Sequence, residues 1–110
     1  MSKIIELNEA KNAFLQAFRN RSSDFEHVLI PENLTKYFSL LEEAITYSNN
    51  HLNERKVEEL TGRVAFDTEK SIAESVLKRD NVYSADFESC YRVLDAVTKN
   101  LENQKEINIR

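Results

Sequence analysis

Residues 31–53 read Pro-Glu-Asn-Leu-Thr-Lys-Tyr-Phe-Ser-Leu-Leu-Glu-Glu-Ala-Ile-Thr-Tyr-Ser-Asn-Asn-His-Leu-Asn. Within them Leu34, Phe38, Leu41, Ile45, Ser48 and Leu52 follow one another at intervals of three and four, and all but Ser48 are apolar. At 3.6 residues per turn these positions share one helical face. Tyr37, Ala44 and Tyr47 widen the seam to the stripe of a core helix, and Glu42 and Glu43 face away from it. Pro31 disfavours the α region at Ile30 and suits a first helical turn, so the helix is expected to begin there, with Glu32 near the positive end of its dipole. Asn49, Asn50 and Asn53 are weak helix formers and mark a break at 49–53; continuation to about Leu60 is the alternative.

Working outward, Leu7, Ala10, Phe14, Ala17 and Phe18 recur at helical spacing, giving an amphipathic helix from about residue 4, with Ser2 as its N-cap and an end near Arg21. Ser22-Ser23-Asp24 favours a turn. Phe25-Glu26-His27-Val28-Leu29-Ile30 is a short apolar, β-branched run and reads as an extended connector into Pro31. On the C-terminal side Val57, Leu60 and Val64 repeat helically around Gly62. A break after Thr61 is favoured over a helix running through the glycine, with a new cap at Asp67 or Thr68 opening a helix through Ile72, Ala73, Val76 and Leu77. Ser84 caps a last helix whose face carries Phe87, Cys90, Tyr91, Leu94, Val97 and Leu101, with Asp86 and Glu88 in its first turn. Beyond Asn103, Ile107 and Ile109 alternate, as in a frayed end or a short strand pairing with 26–30.

These segments predict an all-α protein, a small antiparallel bundle of four to five helices forming a single helical domain over 1–110, with a short extended segment at 25–30 or 106–110. The chain is long enough to fold without staples. It contains one glycine and one proline, where average usage would give roughly eight and five. One glycine cannot build a phosphate-cradling loop, a dinucleotide fingerprint or a nucleophile elbow. No cofactor is expected.

The lone Cys90 cannot pair within the chain, which favours a reducing compartment. No apolar run reaches signal-peptide or membrane-span length, so a soluble, cytoplasmic protein without membrane contact is expected. The net charge is −4, and basic residues are mixed with acidic ones rather than blocked as in most nucleic-acid binders. Lys70, Lys78, Arg79 and Arg92 are the residues from which folding could still assemble a basic patch.

Val57-Glu58-Glu59-Leu60-Thr61-Gly62 resembles the turn of a helix-turn-helix, which makes DNA binding through residues 57–78 the alternative function. The match is partial: such units place a small residue four before the glycine, where this chain has Glu58, and an apolar anchor six after it, where it has Thr68. Asp67 and Glu69 would bring negative charge toward phosphates. For metal chemistry, His51, Glu54 and Glu58 supply half a site on one helical face, and His27 reads as a polar residue beside an apolar run. Cys90 falls on an apolar face between Phe87 and Leu94, where desolvation makes a thiol inert. No catalytic, metal or cofactor residues are assigned and an enzyme is not expected.

Most aromatic residues lie on the apolar stripes. Tyr47, Phe66 and Tyr83 fit their helices least well and are the candidate partner-binding residues. The expected function is therefore that of a non-catalytic helical protein that binds a macromolecular partner, as a regulator, adaptor or immunity-type inhibitor. A protein partner is favoured over nucleic acid, because a mildly acidic helical surface complements a basic one. A homodimer sharing the Leu34–Leu52 seam is the further possibility.

Overall fold

The computed structural model describes residues 3–20, 27–78 and 81–109. Its elements are α1 (Lys3–Arg19), β1 (His27–Leu29), α2 (Glu32–Thr35), α3 (Phe38–His51), α4 (Glu54–Thr61), α5 (Phe66–Val76), β2 (Asn81–Tyr83) and α6 (Ala85–Ile109). The all-α class stands, with six helices among the described residues where four or five are expected. The additional one arises because the helix opening after Pro31 bends: Tyr37 sits at φ −96° and ψ 0°, and α3 restarts from it through Leu41 N–H donating to the Tyr37 carbonyl at 2.9 Å. The asparagine break is present. Leu52 is extended, and Asn53 caps α4 by accepting from Lys56 N–H at 2.8 Å.

α6 is the central element. Val93 to Thr98 are all buried, which a helix achieves only when surrounded, and α1, α3, α4 and α5 all pack on it. α1 runs antiparallel to it, with Phe14 against Phe87 at 6.4 Å between ring centroids. Leu34, Leu41, Ile45, Ser48 and Leu52 are all buried within this one chain, so the seam is filled internally.

Of the two places expected for an extended segment, the described part of 25–30 is extended and 106–109 is helical. Backbone 27–29 forms β1, but its antiparallel partner is β2, with His27 opposite Tyr83, Val28 opposite Val82 and Leu29 opposite Asn81. Residues 106–109 belong to α6 instead, because no glycine or proline follows Ser84 to stop a helix once it is propagating. Ser2, Arg21, Phe25, Glu26 and Arg79, named above, and the turn expected at Ser22-Ser23-Asp24 lie outside the described residues.

Candidate functional site

Near the start of α1, that helix, α3 and α6 together line an open groove of about 830 Å³. Each helix gives it two apolar side chains: Ile4 and Leu7 from α1, Ala44 and Tyr47 from α3, Val97 and Leu101 from α6. Leu7, Ala44 and Val97 are buried and make the floor; Ile4, Tyr47 and Leu101 are half-buried and make the walls. Ser39, Glu42, Glu43 and Thr46 line the α3 side at helical spacing, all exposed. Glu42 and Glu43 thus face away from the core and border the groove.

Two polar contacts shape it. Lys3 reaches from α1 to α3, its Nζ 3.1 Å from Glu43 Oε2 and 3.6 Å from Glu6 Oε2. The Glu43 carboxylate, with Glu6 adding to it, holds the Lys3 amine above its ordinary range. Tyr47 Oη accepts a 2.6 Å hydrogen bond from Asn100 Nδ2 on α6, and the ring centroid lies 4.4 Å from that of His51. The tyrosine is therefore fixed in place before any ligand arrives.

A second cluster lies at the α4–α5 turn. Gly62 ends α4 at φ 75° and donates its N–H to the Glu58 carbonyl at 2.8 Å, so the helix breaks at the glycine. α5 opens at Phe66, not at a cap on Asp67 or Thr68. Its N-cap position is Ala65 at φ 65°, and the acceptor that serves Asp67 N–H is Glu54 Oε1 of α4 at 3.2 Å. The intervening Arg63 turns inward toward Asp95 of α6, with Nη1 3.3 Å from Oδ2. Lys11 of α1 and Lys99 of α6 reach the same carboxylate at 3.4 and 3.2 Å. Asp95 is only 2% exposed. Beside it, Glu69 pairs with Arg92 at 3.4 Å. Burial pushes the Glu69 carboxyl above its ordinary range despite the opposing pull of Arg92 and Arg63.

The three candidate aromatic residues do not converge. Tyr47 lines the groove, whereas Tyr83 is 42% exposed on β2. Phe66 is 1% exposed and belongs to the core, which removes it from any surface set. The reason is the turn: with α5 opening at Phe66, the ring is the first buried residue of the face that continues through Glu69, Ala73 and Val76. His51 ends α3 and Glu54 begins α4, so the His51, Glu54 and Glu58 stripe is split between two helices. Among the described residues, no group of three or more histidine, cysteine or acidic side chains is placed to hold a metal ion. Cys90 is fully buried, and desolvation raises its thiol far above the ordinary range.

Sequence reading misses both clusters. The groove needs the facing sides of three helices, which no single periodicity reports. Asp95 carried a usable signal: it is the only charge in Val93-Leu94-Asp95-Ala96-Val97-Thr98. Among the described residues no helix is long and apolar enough to cross a membrane. Comparison with protein-family models, with curated protein sequences and with solved structures finds no match to this chain in any of the three.

Proposed function

We propose that this chain is a non-catalytic helical protein that acts by binding a protein partner, as a regulator, adaptor or immunity-type inhibitor, and that the partner docks in the groove between α1, α3 and α6. The groove itself carries the reading: six apolar side chains from three helices meet there and leave about 830 Å³ unfilled. An apolar concavity with a few polar groups at its border is the usual form of a binding site. Tyr47, held by Asn100 and His51, supplies a rigid aromatic wall, the type of residue that anchors interfaces at low entropic cost. A single buried thiol suits a reducing, cytoplasmic setting.

The helix-turn-helix reading gains a short glycine turn between α4 and α5 but loses on charge. The exposed side of α5 carries Asp67, Thr68, Ser71 and Glu74. Arg63 is engaged by Asp95, and Lys70 lies 3.8 Å from Asp67. A phosphate backbone would meet carboxylates there.

Capture from native lysate with and without nuclease treatment, with wild type and Thr46→Trp side by side, tests the proposal. Thr46 is an exposed residue of the groove wall, so the indole fills the groove without entering the core. Wild type is expected to retain a protein in stoichiometric amount and the variant to lose it, with both showing the same circular-dichroism melt. Equal retention by the variant, or recovery of nucleic acid alone, overturns it.

A further inference from the structure

We infer that the occupant of the groove is an amphipathic α-helix with a basic flank, presented by the protein partner; this rests on the groove being the docking surface. Its walls are helices, so an extended peptide would find no strand edge to pair with and recognition runs through side chains. On α3 the lining runs from Ser39 to Thr46, seven steps along the helix or about 10 Å of its axis, which matches the reach of anchors at i, i+4 and i+7 on an incoming helix.

Charge selects the flank. Glu42 and Glu43 border the groove, and Glu6 stands beside them through Lys3; against these three carboxylates the only lining amine among the described residues is Lys3. That amine is already held between Glu43 and Glu6, so the border is left with an excess of negative charge. A second copy docking across a two-fold axis would bring the same carboxylates face to face. Anionic lipid headgroups and nucleic acid would be repelled as well. A lysine or arginine on the incoming helix, by contrast, takes the place of Lys3 at Glu43. Lys3 thus competes with the partner, which gives this inference a signature that general stickiness lacks.

Fluorescence anisotropy of two labelled helix-forming peptides of about 15 residues, with leucines at i, i+4 and i+7 and flanks of either lysine or glutamate, tests it on the full chain. The lysine peptide is expected to bind with salt-sensitive affinity, about tenfold more weakly to Glu42→Lys/Glu43→Lys and several-fold more tightly to Lys3→Gln. All three positions are exposed, so the folded state is retained. Binding of the glutamate peptide as tightly as the lysine one overturns the inference while leaving the groove as a docking surface. Binding of neither peptide also overturns it, as does dimerisation lost in Thr46→Trp or retention on anionic vesicles. Failure of the underlying reading shows separately, as lysate capture indifferent to Thr46→Trp.

Discussion

Gly62 and Ala65 both hold positive φ, at 75° and 65°, for opposite energetic reasons. A Cβ built on Gly62 meets nothing within 4 Å, so Gly62→Ala brings no clash and costs only the left-handed backbone, about 1 kcal/mol. Ala65 already bears that cost. Ala65→Gly relieves it but frees the unfolded chain, for a net gain of about 0.5 kcal/mol. Urea midpoints of the two variants are expected to move in opposite directions.

Glu69 adds a pH signature. Its folded pKa lies above the ordinary 4.5, so the folded state keeps this proton longer than the unfolded chain. Its contribution to stability is therefore full below that ordinary value and is lost as pH rises through the raised one. Glu69→Gln is expected to flatten the decline of stability over that window, read as urea midpoints against pH. The sequence reading placed Glu69 in a recognition stretch because Gly62 marked a turn without giving its length. With α5 opening at Phe66, Phe66 and Glu69 fall on its buried face.

At the scale of elements, one buried carboxylate, Asp95 of α6, draws in the α4–α5 turn through Arg63 and α1 through Lys11. Lys11, Arg63 and Lys99 are 20%, 30% and 43% exposed at the side chain and Asp95 3%, so removing the acid leaves three cations that can partly relax into water. Asp95→Asn is expected to cost about 2 kcal/mol, less than a fully buried pair, and the deficit should shrink at high salt as the remaining repulsion is screened. Denaturation at low and high ionic strength checks both statements.

The elements themselves were unequally legible. Leu34 to Leu52 announced α2 and α3 because a single buried stripe imposes a period, and Pro31 and Asn53 marked its ends. β2 gave no signal: three residues with one buried apolar side chain, Val82, show no alternation, and only pairing with β1 makes them a strand. Ile107 and Ile109 gave a false one, since two isoleucines two apart mimic alternation while the helix simply continues.

Across the whole molecule, stability centres on α6, the last helix of the chain. A chain ending at Tyr83 keeps α1 to α5 and both strands but loses the surface they share; it is expected to lack a cooperative thermal transition, measured by circular dichroism. The groove belongs to this scale as well. It is assembled from α1, α3 and α6 together, so its six apolar residues are scattered from position 4 to position 101.

The pairing of α1 with α6 also sets a timetable. Ribosomes add about 5–20 residues per second, so α1 waits roughly 4–16 s after its own synthesis before Leu101 is joined to the chain. Throughout that interval Leu7, Ala10 and Phe14, which α6 later covers, have only the growing chain itself for shelter. Slowing translation through residues 85–101 should lengthen that exposed interval and with it the tendency of the nascent chain to aggregate.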